Sequence, residues 1–349
     1  MTSSCTVHLV GSVSQPDAES TFRTLAGHLG ELAPRIPDGE VGERFYWIQF
    51  QTFKFDASQG LERVGEPGFK IRDQFDVRPF RLTGEPIVLP SLGYADAAIE
   101  SFQTFERLQS EGVIPASTRF QVSLPTPAGV LGFVIESDRA EFEPTYQAAL
   151  LAELDRIQAV IPHEKLAVQW DVATEFAYLE QVEIFGSPVR AWWGDDYPTL
   201  LAGAVERLVA LGSRVEPDVQ LGYHLCYGDI EEAHFKQPDD AGILADVAAG
   251  ILRDTTRHID WIHLPVPIDR DDTAYFAPLS KVDWNDTTVY IGLVHHEDGV
   301  EGALRRAAAA ATAVPVFGIA TECGFGRGPA ERTVPLLDIH AEVARALAN

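Results

Sequence analysis

Eight short apolar runs, most of them separated by stretches with helical spacing, constrain this chain more than any other feature of its 349 residues. The runs are Thr6–Gly11, Arg35–Asp38, Arg119–Leu124, Leu166–Asp171, Val219–His224, Asp260–Pro265, Thr288–Gly292 and Val314–Ala320. Short apolar runs bounded by turn residues read as buried strands, and their alternation with amphipathic helices reads as a parallel sheet. Helical apolar spacing covers Asp96–Gln109, Glu143–Ile161, Tyr197–Leu211, Ala241–Arg257, Val300–Ala313 and Pro329–Leu347. A doubly wound open sheet is the alternative, but no Gly-rich phosphate loop joins a strand to a helix, and eight strands favour a closed barrel. The expectation is an α/β fold: a single (β/α)8 TIM barrel domain over residues 1–349. The stretch from Phe45 to Leu92, rich in aromatics, glycine and charge, breaks the rhythm. It is expected to be an excursion after strand two over the barrel mouth, a hairpin with a short helix.

Acidic residues outnumber basic ones 52 to 27, a formal net charge of -25. Such a surface repels nucleic acid and anionic membrane, so neither is an expected partner. The three cysteines, Cys5, Cys226 and Cys323, are too few and odd in number for a disulfide framework. The chain start carries no signal-peptide pattern, and no apolar run suffices to span a bilayer. A cytoplasmic, reducing location is therefore expected, where thiolates can serve as metal ligands.

The sharpest local signal is Gly222-Tyr223-His224-Leu225-Cys226-Tyr227-Gly228. Residues two apart at a strand end point the same way, so His224 and Cys226 converge. Thr321-Glu322-Cys323-Gly324-Phe325-Gly326 follows the last expected strand. Loops after barrel strands open on the face where active sites sit, so Cys323 can meet the first pair there. One histidine and two cysteines suit zinc (Zn2+), which takes nitrogen and sulfur ligands in tetrahedral array. The competing reading is three buried residues without metal, since free cysteine is a common core residue.

These segments, taken in order along nearly the whole chain, resemble the catalytic barrel of cobalamin-independent methionine synthase, within the wider group of uroporphyrinogen decarboxylase-like barrels. Val10-Gly11-Ser12 resembles the family's opening "IGS" strand end, and Asp38-Gly39-Glu40-Val41-Gly42-Glu43-Arg44 its "HGEFER" segment. Val168-Gln169-Trp170-Asp171 resembles "IQID", His224-Leu225-Cys226-Tyr227 the "HMCY" zinc motif, and Glu322-Cys323-Gly324 the "DCG" motif. The resemblance implies a zinc site that lowers the pKa of a thiol, which then attacks an activated methyl group. It further implies that Glu40 and Asp171 hold the amino group of homocysteine and that Ser12 helps hold its carboxylate. A histidine that donates a proton is implied in the loop after strand seven, where either His295 or His296 can match. The plain readings are a salt-bridged acid for Glu40 and Asp171, a turn residue for Ser12 and a loop residue for the histidines.

The chain also departs from that pattern. The family's zinc glutamate lies after strand six, where this sequence reads Trp261-Ile262-His263-Leu264-Pro265-Val266-Pro267. His263 stands there either as a substitute ligand or as a packed strand residue. The zinc epoxyalkane:coenzyme M transferases, relatives with an H-x-C and a later cysteine, also resemble it, which opens another thiol or electrophile. The additional N-terminal barrel of full-length methionine synthases has no counterpart, and no basic cluster marks a folate site. Trp192 and Trp193, with Phe45, Tyr46, Trp47, Tyr223 and Tyr227, suggest a wall for an aromatic substrate or plain packing on the barrel rim. The expected activity is zinc-dependent methyl or alkyl transfer between a small-molecule thiol and an alkyl donor, with a homodimer left open. A zinc hydrolase or lyase is the first rival, and a non-catalytic or metal-free barrel the second.

Overall fold

The computed structural model describes residues 5–66, 70–71, 75–76, 78–184, 187–228 and 234–348. Its centre is one parallel seven-stranded sheet in chain order. The strands are β1 (Arg35–Pro37), β2 (Arg119–Pro125), β3 (Leu166–Val172), β4 (Gln220–Leu225), β5 (Trp261–Pro265), β6 (Thr288–Val294) and β7 (Gly318–Thr321). Each overlaps an expected run, β7 only over Gly318–Ala320, because a strand covered on both faces is mostly apolar along its length. All seven residues of β3 are buried.

The sheet curls. Arg35 on β1 donates from Nη2 to the Tyr290 hydroxyl on β6 at 2.9 Å, a contact that a flat sheet of this order forbids. The first expected strand, Thr6–Gly11, does not form as a strand. It makes single parallel bridges instead, Val7 to Ile319 of β7 and Ser12 to Gly39 just beyond β1. Its amides alternate between the two edges, Val7 N donating to Leu32 O just before β1 and His8 N to Ile319 O of β7, and beyond it Val13 N donates to Gly39 O. The segment thus touches both sheet edges without a continuous ladder to either.

The outer layer comprises α1 (Ala18–Leu29), α2 (Tyr94–Ser110), α3 (Glu136–Val160), α4 (Tyr197–Gly212), α5 (Gly242–Asp254), α6 (Gly299–Ala310) and α7 (Thr333–Leu347). Helix α1 packs against both α2 and α7. Helix α3 begins before its expected start and runs through Pro144. Of the excursion at 45–92, residues 67–69, 72–74 and 77 lie outside the described residues. The rest holds a short helix, Gln51–Asp56, and two antiparallel pairs, Leu61–Arg63 with Phe80–Leu82 and Lys70–Ile71 with Phe75–Asp76. Phe55 packs on Phe142 and Tyr146 of α3, and Phe80 pairs through its backbone with Phe133 and Ile135. Among the described residues, no helix is long and apolar enough to cross a membrane.

Candidate metal centre and the acid pair beside it

Register places the chemistry. On the parallel ladder His224 lies opposite Asp171 of β3 on one side and His263 of β5 on the other. Neighbouring residues at one level of a parallel sheet share a face, so the three side chains form a row. Gly222 belongs to the same face, where a Cβ would fall 1.9 Å from the Trp261 ring, so the close approach of Trp261 requires glycine. Cys226 follows the last residue of β4, and its amide is fixed by Val172 O at 2.8 Å.

Cys323 comes from the loop after β7. Its sulfur lies 3.8 Å from Cys226 Sγ and 3.7 Å from His224 Nε2. A tetrahedral zinc with bonds of about 2.3 Å to sulfur and about 2.0–2.1 Å to nitrogen sets separations of roughly 3.8 Å between two sulfurs and roughly 3.6 Å between sulfur and nitrogen. The donors therefore stand as zinc ligands stand, and the sulfurs are too far apart for a disulfide. His224 and Cys226 are buried, Cys323 half-buried, and these three form the metal-capable cluster of His, Cys, Asp and Glu among the described residues. Burial first, then His263, holds the His224 ring far below the usual imidazole range, so it is neutral and available as a ligand. The third cysteine is elsewhere: Cys5 is buried against Phe317 O, and burial raises its thiol to about 11, which makes it inert.

Beside the cluster sit two carboxyls. Burial pushes Glu40 up to about 7, with Arg44 and Arg327 pulling the other way. Burial also drives Asp171 well above the carboxylate range, and the nearby charges of Glu40 and Cys323 add to it. An acid whose charge raises its neighbour shares a site with it, and the two titrate as a pair. Asp171 Oδ1 accepts from Gln169 Nε2 at 2.8 Å. Glu40 sits at φ 52°, its amide donating to Asp38 Oδ1, and Asp38 is itself clamped by Arg44 at 2.6 Å and by the Ser101 hydroxyl. Gly11 makes room for that carboxyl, since a Cβ there would lie 2.7 Å from Glu40 Oε1.

Ser12 is buried against the Cys323 loop. Its Oγ accepts from Gly326 N at 3.2 Å and its carbonyl accepts from Phe325 N at 3.0 Å. The two loop histidines part company. His295 is buried, bonds Val266 O through Nε2 at 2.9 Å and turns Nδ1 toward Glu322 at 3.6 Å. Burial and then Arg306 lower its ring to about 4. His296 is exposed.

Sequence reasoning missed two features. One is Arg327, whose charge acts on both Glu40 and His224. Its position, four residues after Cys323 in the same Gly-rich loop, was the available signal. The other is the partner of His224: His263 Nδ1 lies 2.7 Å from His224 Nδ1. Of the two readings of the tryptophans, substrate wall or packing on the rim, their contacts are those of packing. Trp192 Nε1 donates to Glu143 of α3 and Trp193 Nε1 to Leu200 O of α4, and both rings lie against Tyr178.

No family model matches the chain, and no curated protein matches it. Solved structures do, among them two described as B12-independent methionine synthases. One, from Shewanella sp. W3-18-1 in complex with selenomethionine, aligns over 98% of both chains with a TM-score of 0.61 and 16% identity. A putative vitamin-B12 independent methionine synthase from Listeria monocytogenes aligns over 94% of this chain and 86% of its own, with a TM-score of 0.56 and 17% identity. At that identity the likeness is one of fold.

Proposed function

We propose that this chain is a zinc-dependent thiol alkyltransferase in a single barrel of the (β/α)8 type, in which the Val7–Ser12 segment bridges the two edges of the seven-stranded sheet in the place of an eighth strand, most simply one that methylates homocysteine or a related thiol. The observation that carries the reading is the spacing of Cys226 Sγ, Cys323 Sγ and His224 Nε2, which matches tetrahedral zinc with three protein donors among the described residues. A zinc ion bound there supplies Lewis acidity that lowers the pKa of a thiol and leaves its sulfur nucleophilic. Glu40 and Asp171 would bind the ammonium group of an amino-acid thiol, a cation that relieves their mutual repulsion. Ser12 would position the substrate's carboxylate from the edge of the Cys323 loop. Of the two loop histidines, buried His295 would hold or move a proton at Nδ1, and the exposure of His296 counts against it. The alkyl donor is left open.

Metal analysis tests the site. Protein purified without chelator should carry one zinc per chain, lost in Cys226→Ser and in Cys323→Ser. Zinc-loaded protein should then consume a thiol when supplied with methyl donors. Wild type without zinc would sink the proposal. Zinc-dependent turnover with no thiol consumed would move the enzyme to the hydrolase or lyase class.

A further inference from the structure

None of the proposed ligands is His263, yet this side chain is fully buried and both ring nitrogens are engaged. Its Nε2 lies 2.9 Å from Thr321 O. A carbonyl oxygen only accepts, so His263 Nε2 carries a proton and donates it there. A second proton on Nδ1 would make a fully buried imidazolium whose ring nitrogens face only a carbonyl and another histidine, a costly arrangement. His263 Nδ1 is therefore the acceptor in the 2.7 Å contact, and His224 Nδ1 is the donor. A neutral imidazole carries one proton, so His224 Nε2 is left bare, and it is Nε2 that stands 3.7 Å from Cys323 Sγ.

The geometry points to His263 as the positioning residue that fixes His224 in its Nδ1–H tautomer and aims a bare Nε2 at the metal position. The inference rests on the zinc reading of the site. Three features of the fold support it. The ladder register sets His224 and His263 side by side. Gly292 keeps the path open, since a Cβ there would lie 2.9 Å from His263 Nε2 and 2.8 Å from Thr321 O. Thr321 stands two residues before Cys323, so the carbonyl that anchors the relay belongs to the segment that delivers the other ligand. Ligating histidines are commonly oriented by a carboxylate or carbonyl on the far nitrogen. A neutral imidazole performs that task without adding charge to the site.

The test uses the full chain, labelled with 15N-histidine and read without metal by long-range proton–nitrogen correlation. The His224 signals are assigned by their loss in His224→Gln. Wild type should show the Nδ1–H tautomer at His224. Zinc affinity is then measured by chelator competition in two variants. His263→Leu removes the acceptor and should weaken zinc by about 10–100-fold. His263→Gln keeps one acceptor and one donor and should stay within a few-fold of wild type. An Nε2–H tautomer in wild type, unchanged affinity in His263→Leu, or His263→Gln as weak as His263→Leu each overturns the inference. If wild type takes no zinc, the metal reading falls, while the tautomer spectrum still decides the relay. If His263→Leu does not fold, the spectrum and the His263→Gln affinity carry the decision.

Discussion

At the scale of single residues, Glu40 combines two costs, a left-handed backbone and a buried carboxyl. Such costs persist where surrounding groups enforce them, and here Asp38, Arg44 and Gly39 do so. The raised acid gives a testable pH dependence. Folded Glu40 holds its proton up to about 7, whereas the ordinary value is 4.5. Between these values the native state binds more protons than the unfolded one, so this group's contribution is present below about 4.5 and lost as pH rises toward 7. The neutral buried histidines slope the other way over much of the same range, so the informative quantity is a difference. Tm measured against pH for wild type and Glu40→Gln should show the variant gaining on wild type as pH rises, and parallel curves would refute the shift. The same scale shows what the sequence could reveal. His224 and Cys226 were readable because two positions on one strand end must converge. His263 was not readable as their partner, because the register of one strand against the next is written in no single segment.

At the scale of elements, the strands were legible and the helices less so. Strands β3 to β6 are largely apolar runs whose interior residues are buried whichever face they point to, the pattern that a sheet covered on both sides requires. Helix α1 went unread, although Asp17 caps it by accepting from Ser20 N at 2.7 Å and Phe22, Leu25 and Leu29 are buried at helical spacing. Asp17→Ala should lower stability by about 1 kcal/mol, the usual cost of a lost N-cap, as read from urea unfolding. No measurable change would mean that packing on α2 and α7 alone holds the helix. Pro144 hid the first turns of α3, because proline in a helical pattern reads as a start. The segment at Thr6–Gly11 has the composition of a strand, and its amides turn alternately to Leu32 O and Ile319 O as a strand's do, but the pairing stays at single bridges.

At the scale of the molecule, the acidic excess is a surface property, while the concave face of the sheet carries its own polar row of Arg35, Tyr290, His8, Gln169 and Asp171. That row was invisible in overall composition, since its members are spread over several separate segments that are otherwise mostly apolar. The site itself joins distant parts of the chain: Cys226 and Cys323 are 97 residues apart, and Ser12 reaches Gly326 across 314. Anything that binds the native arrangement and not the unfolded chain raises stability by mass action, so chelation should lower Tm and added zinc restore it. A Tm indifferent to chelator would mean that no metal links these segments. The contact between Ser12 and the Cys323 loop has a practical consequence for ageing and handling. It is part of a seam between the two ends of the chain, where Ser12 accepts from Phe325 N and Gly326 N, the Thr333 hydroxyl donates to Ser14 O, and α1 packs on α7. If zinc is held as proposed, parting of the seam would take Cys323 away from the other two donors while the helices and strands stay in place, so metal retention on storage would follow the fit of the chain's two ends as well as the strength of its core.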